Sequence, residues 1–356
     1  MEFETQRNCS VNDFELLKVI GKGRYGKVLL VKKIITGELF AMKILKKKYI
    51  AECRQIEHTR TERKILASVD HPYIVKFFYA FQSNERLYLI LEYCSGGELF
   101  FHLNRARRFD EQRVKFYSAC LVLAIEHLHS KNIIYRDLKP ENVLIDEDGF
   151  PKITDFGLSK ENCTDGRSAR SFCGTAEYLA PEVIIKQGYG KAVDWWSLGC
   201  IIYEMLIGLP PFYHENKKYV YMKILSEEPL LPDFLSLPVK NLLTSLLHKD
   251  PNRRLGARGA EEIKTNIWFF DVDWAALGAK RVMPSFVPNI SDPANSRYFS
   301  EEFTSSAISA ASPNSLSPRN SSPTYDGFSY SCSPSESKCV FDNEFTIREE
   351  EGQPIV

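Results

Sequence analysis

Four separated groups of residues could act together on a phosphate chain. In Tyr135-Arg-Asp-Leu-Lys-Pro-Glu-Asn142, Asp137 precedes Lys139 by two residues and Asn142 by five. That spacing sets a base, a phosphate-binding cation and a metal ligand on one loop. Asp155-Phe156-Gly157 follows a short strand-like run, and a carboxylate there can chelate magnesium between β- and γ-phosphates. Upstream, Gly21-Lys22-Gly23-Arg24-Tyr25-Gly26-Lys27-Val28 lets backbone lie close to phosphates. Taken alone, this run is equally a hairpin turn. Strand-like flanks on both sides disfavour the strand–turn–helix context of a dinucleotide fold, and Val28 is placed to cover a purine. Lys43 interrupts an apolar strand, so it is either solvated at an edge or held by an acid. Glu62, on the helical interval that follows, is the proposed partner.

The elements that must position these groups fall into three regions. Residues 13–93 hold short β-branched runs bounded by turn residues, interrupted by one helical interval over 47–68. From 96 to about 270 the pattern is helical. Its clearest helix spans 111–130, with Val114, Tyr117, Leu121, Ala124 and Leu128 at helical spacing. The most apolar stretch, 195–212, contains Glu204 and then Pro210-Pro211, so it reads as a buried helix stopped by the prolines. Past residue 300 the chain is rich in Ser, Pro and Asn and cannot bury enough apolar surface to fold alone.

Taken together, these residues resemble the protein-kinase signature set. Ala180-Pro181-Glu182 resembles the motif closing the activation segment, Arg254 the arginine that pairs with its glutamate, and Asp194-Trp-Trp-Ser-Leu-Gly199 the helix that braces the catalytic loop. Within kinases the chain is similar to the AGC serine/threonine group, near the protein kinase B and ribosomal-protein kinase branches. The resemblance implies an α+β bilobal fold, with a small β-rich lobe, a larger helical lobe and an AGC tail. The implied division is an extension over 1–13, a kinase domain over 14–270 with its lobes meeting at 93–94, a regulatory tail over 271–330, and a disordered end over 331–356.

The resemblance further implies ATP and magnesium as cofactors, with each role carried over by position. Asp137 is the implied base and Lys139 the phosphoryl-neutralising cation, while Asn142 and Asp155 hold magnesium. Ile20, Val28, Ala41 and Leu144 enclose the adenine, Leu91 stands behind it, and the backbones of Glu92 and Cys94 bond it. Glu98, Glu141 and Glu204 face the peptide groove, which implies protein substrates with Arg three residues before the acceptor. Ser171 is the implied activation-loop phosphosite, with Arg136 as its partner. Ser312 is the turn-motif site, with Ser317 and Ser322 as competitors. Tyr325-Asp-Gly-Phe328-Ser329-Tyr330 resembles the hydrophobic motif, with Ser329 as its phosphosite, and Phe299 or Phe303 returns to the adenine. An upstream kinase resembling the phosphoinositide-dependent kinase is the implied activator.

Two other classes make distinct demands. A pseudokinase scaffold would lack at least one of Lys43, Asp137, Asn142 and Asp155, and all four are present. A P-loop binder needs Gly-Lys-Ser/Thr, which is absent from the glycine run. Composition narrows the setting. The 46 basic and 46 acidic residues cancel, which argues against nucleic-acid binding by bulk charge. Residues 301–356 carry nine acidic and three basic groups, so the first 300 hold 37 and 43. The zero balance thus joins a mildly basic unit to an acidic tail. Nine scattered cysteines without CxxC spacing fit reduced thiols. With no leader and no integral membrane segment recognised, a cytoplasmic monomer is expected, with the nucleus as a further location.

Overall fold

The computed structural model describes residues 9–23, 26–163, 169–292, 294, 296–307 and 325–332. The β-branched runs of the first region become strands β1 (Phe14–Gly23), β2 (Gly26–Lys33), β3 (Leu39–Lys46), β4 (Phe77–Gln82) and β5 (Arg86–Glu92). They form one antiparallel sheet in the order β1-β2-β3-β5-β4. Register is fixed by burial, because a one-residue slip would turn every apolar side chain to the other face. On one face Leu30, Ala41, Leu45, Leu89 and Leu91 join the central core. On the other, Phe14, Val31, Phe40, Met42 and Ile90 form a second cluster.

The helical interval is two helices, not one: α1 (Lys47–Glu52) and α2 (Ile56–Ser68). The break falls at Arg54, whose φ of 55° is left-handed and cannot continue a helix. Below the sheet lie α3 (Leu99–Ala106), α4 (Glu111–Ser130), α5 (Pro181–Ile184), α6 (Ala192–Ile207), α7 (Lys217–Ser226) and α8 (Leu237–Leu246). Asp110 caps α4 by accepting the Arg113 N–H at 2.9 Å. Helix α6 is buried from Val193 to Leu206, so it is a core helix with no solvent face. It ends earlier than the prolines require. Gly208, with φ 98°, donates its N–H to Glu204 O at 2.7 Å and closes the helix. A small sheet of β6 (Gly97–Glu98), β7 (Val143–Ile145) and β8 (Pro151–Ile153) carries the loops between the lobes.

The tail returns to the first lobe. Strand β9 (Tyr330–Ser331) pairs antiparallel with β4 and makes the sixth strand of the large sheet. Cys332 extends the pairing by donating its N–H to Phe78 O at 2.9 Å. Ordered pairing therefore runs past residue 330 into the stretch expected to be disordered, because the edge of β4 offers backbone partners that composition does not reveal. Residues 333–356 lie outside the described residues, as do Arg24, Tyr25, Ser312, Ser317 and Ser322. Among the described residues, no helix is long and apolar enough to cross a membrane.

Candidate active site

A cavity of about 1020 Å³ lies between the lobes. Its lining includes Ile20, Gly21, Lys22, Gly23, Val28, Ala41, Lys43, Glu62, Leu91, Glu92, Cys94, Glu98, Lys139, Glu141, Asn142, Leu144 and Asp155. Gly26 and Lys27 are not in that lining. A Cβ on Gly26 would sit 1.7 Å from Ile44 O, so this glycine is required by the approach of β2 to β3. No described atom lies within 4 Å of a Cβ built on Gly23, which leaves that backbone open to a ligand.

Lys43 Nζ contacts Glu62 Oε1 at 2.6 Å and Asp155 Oδ1 at 3.0 Å. The strand lysine, the helix glutamate and the Asp-Phe-Gly carboxylate thus meet at one point. Burial works against the Lys43 charge, but Asp155 and Glu62 outweigh it and hold the pKa above its usual value. Lys43 in turn pulls the Asp155 carboxyl below its ordinary range. Asp155 has a left-handed φ of 56°, an uncommon conformation for a non-glycine residue.

Asp137 sits at the centre of a second cluster. Its Oδ2 accepts from Lys139 Nζ at 2.9 Å and Asn142 Nδ2 at 2.8 Å, and its Oδ1 accepts from Thr175 Oγ1 at 3.2 Å. Because Asn142 donates its amide nitrogen, its oxygen is left to take a cation. Sequence reasoning assigned Thr175 no role. It is 38 positions from Asp137 in sequence, so no local pattern pairs them. The loop below is fixed by Asp194, fully buried on α6, which accepts the N–H groups of Tyr135 at 3.0 Å and Arg136 at 2.8 Å. His129 Nε2 is 2.8 Å from the same carboxylate.

The chemistry of these donors fits a triphosphate with magnesium. An apolar slot leads to open glycine backbone, then to Lys43 and the oxygens of Asp155 and Asn142. Among the described residues no group of three or more His, Cys, Asp or Glu could form a metal cage. Magnesium commonly takes one or two carboxylates plus substrate phosphates, which suits this pair.

Glu98, Glu141 and Glu204 come within one electrostatic neighbourhood. Burial, then the charge of Glu141, raises Glu98 to about 7. Burial also raises Glu204 to about 7, with Glu141 adding to it and a hydrogen bond from Tyr178 opposing it. Glu204 is buried, so it is not an ordinary solvated surface glutamate. Glu141 Oε2 is buried with no hydrogen-bond partner.

Two further sites are placed. Arg136 Nη1 donates to Ser171 Oγ at 2.8 Å, and the same guanidinium reaches Leu158 O at 2.5 Å. Burial, with the Arg136 charge, lowers the pKa of His58 on α2. In the tail, Tyr325 and Phe328 are buried against the first lobe. Arg63 on α2 donates to Phe328 O at 3.1 Å and Ser329 O at 3.0 Å, and Tyr330 stacks on Phe77 at 4.8 Å. Ser329 itself is exposed.

Comparison with known proteins agrees with this geometry. The protein kinase domain model matches residues 14–269. A RAC-beta serine/threonine-protein kinase A from Xenopus laevis is 45% identical over 331 residues, covering 91% of this chain and 68% of the relative. The RAC-beta serine/threonine-protein kinase of Homo sapiens is 45% identical over 312 residues, 87% of this chain and 65% of the relative. Serine/threonine protein kinase ypkA of Aspergillus fumigatus is 48% identical over 304 residues, 85% of this chain and 48% of the relative. The chain thus spans about half to two thirds of the length of these relatives.

Proposed function

This chain belongs to the protein kinase family, as a serine/threonine kinase of the AGC group, and we propose from that premise that it phosphorylates Ser or Thr in Arg-containing motifs. The observation that carries the reading is the convergence of Lys43, Glu62 and Asp155 beside the Asp137, Lys139 and Asn142 cluster. Bound ATP with magnesium supplies the phosphoryl group and neutralises its charge. Lys43, held by Glu62, positions the α- and β-phosphates. Asn142 and Asp155 would hold the magnesium through their side-chain oxygens. Asp137 orients the substrate hydroxyl and takes its proton, and Lys139, 2.9 Å away, offsets charge on the phosphoryl oxygens.

Arginine preference rests on Glu98, Glu141 and Glu204. Glu98 and Glu204 are raised first by burial and further by the charge of Glu141, which itself has an orphaned buried oxygen; such a set is a poor site for water and a good one for guanidinium. Regulation rests on the tail and on Ser171. A phosphate on Ser171 meets Arg136 and orders the activation segment. Docking of Tyr325 and Phe328 beside Arg63 holds α2, and so the Lys43–Glu62 pair, in place. An upstream kinase supplies the phosphates, and the enzyme works as a cytoplasmic monomer. Lys43→Met and Asp155→Ala should each abolish magnesium-dependent phosphorylation of an Arg-containing peptide. Parent-like rates in either would overturn the assignment, and a peptide library without Arg enrichment would overturn the specificity.

A further inference from the structure

Three exposed arginines, Arg105, Arg107 and Arg108, crowd the turn between α3 and α4. None of them forms an ion pair with a described residue, unlike Arg60, Arg254 and Arg258. The acids that follow them in the chain are engaged elsewhere. Asp110 caps α4, and Glu111 accepts from Ser236 Oγ at 2.6 Å and Trp268 Nε1 at 2.7 Å. Two of the arginines lie over aromatic rings, Arg105 over Phe101 at 5.6 Å and Arg108 over Phe234 at 4.7 Å. Stacking uses the face of a guanidinium and leaves its N–H edge to bond an anion.

Both helices that carry groove carboxylates end at this turn. Glu98 is the N-cap of α3, and Arg107, with a left-handed φ of 69°, is its C-cap. Glu204 lies in the last turn of α6, where its carbonyl accepts the Gly208 N–H. A Cβ on Gly208 would stand 2.4 Å from Arg107 O, and Phe109 N–H donates to Met205 O at 2.8 Å. The end of α6 thus packs directly on the arginine turn and holds a backbone conformation that is uncommon outside glycine. Helix α6 also sets a direction. Its first turn carries Asp194, which bonds the catalytic loop, and its last carries Glu204 and leads to Gly208. A peptide running from Asp137 past Glu204 therefore heads for the arginines. Exposed Leu230 and Phe234 continue the surface there, with Leu230 O tied to α6 by the Tyr203 hydroxyl at 2.8 Å. Distance sets the register. Helix α3, of 8 residues, spans about 12 Å, which is the reach of about four extended residues.

We propose that Arg107 and Arg108 bind an acidic side chain of the protein substrate about four residues before its −3 arginine, near position −7. This extends the arginine-motif reading of the groove, on which it rests, by a second charge of opposite sign. The glutamates repel an acid placed nearer the acceptor, and the arginines repel a base placed further out. The pair of sites therefore selects the spacing of charges along the substrate as well as their sign.

The test measures KM and kcat of the activated full chain on three peptides that share one arginine motif and carry Glu-Glu, Gln-Gln or Lys-Lys at −8 and −7. The Glu-Glu peptide should have a KM about three- to tenfold below that of the Gln-Gln peptide at low ionic strength, with kcat unchanged, and high salt should erase the difference. Arg107→Gln/Arg108→Gln should remove the advantage, and Arg107→Glu/Arg108→Glu should favour Lys-Lys over Glu-Glu. The Gln-Gln peptide reports whether each variant still folds and phosphorylates; if one does not, the three peptides on the parent chain still decide. Equal KM values for Glu-Glu and Gln-Gln in the parent would overturn the proposal, as would an advantage that survives Arg107→Gln/Arg108→Gln. Binding to phosphatidylserine vesicles that needs these arginines, with no peptide effect, would overturn it in favour of a membrane surface. Failure of the groove reading looks different: the parent would then not distinguish arginine from citrulline at −3 in the Gln-Gln peptide.

Discussion

Lowering the pH should weaken recognition of arginine in the substrate, because two of the three groove carboxylates sit near neutrality. Glu98 and Glu204 are both raised to about 7, chiefly by burial. A guanidinium stays charged throughout, so only the carboxylates titrate. A carboxyl with that midpoint is about nine-tenths ionised at pH 8 and about one-tenth ionised at pH 6. Each carboxylate needed in its charged form therefore raises KM about tenfold between those two values. The sign follows from the raised pKa: the binding form is complete above 7 and is lost as the pH falls through it. The assay compares two peptides differing only at the −3 position, arginine against its neutral isostere citrulline, with KM measured from pH 6 to 8. The arginine peptide should lose about ten- to hundredfold in affinity, and the citrulline peptide should change little. Glu98→Gln should raise the KM of the arginine peptide at pH 8 and flatten its pH dependence. Parallel curves for the two peptides would refute the argument, because the loss would then belong to the catalytic step or to the fold.

Other expectations concern stability and regulation. Glu182 and the fully buried Arg254 side chain form a two-point ion pair at 2.6 and 2.9 Å. Glu182→Ala should cost about 3–5 kcal/mol, because it strands a buried guanidinium; calorimetry should find Tm lowered by roughly 10 °C, with Glu182→Ala/Arg254→Met recovering part of it. Gly26→Ala should destabilise the protein through the clash with Ile44 O, whereas Gly23→Ala should leave Tm within about 1 °C and act on ATP affinity instead. Phe328→Ala should release β9, seen as fast amide exchange at Tyr330, and lower kcat about tenfold while the rest of the domain keeps its exchange protection. Ser171→Ala should prevent activation by an upstream kinase, and Arg136→Ala should leave Ser171 phosphorylatable but the segment unordered by phosphate.

The sequence by itself determined the order of the chemistry and the elements that carry it. Asp137, Lys139 and Asn142 are neighbours on one loop, and the glycine run sits in a strand hairpin. Helix α4 has its cap and its apolar spacing written locally. These features depend on contacts a few residues apart, so periodicity and turn chemistry reach them. Tertiary structure alone decided the rest. It closed Thr175 onto Asp137 and buried Glu204 under Tyr178. It assigned Gly26 to strand packing and not to the cavity. It also added β9 to the edge of β4 across about 250 residues of chain. In each case the deciding partner is distant in sequence, and the choice was made by steric fit or by an open backbone edge, neither of which leaves a local pattern.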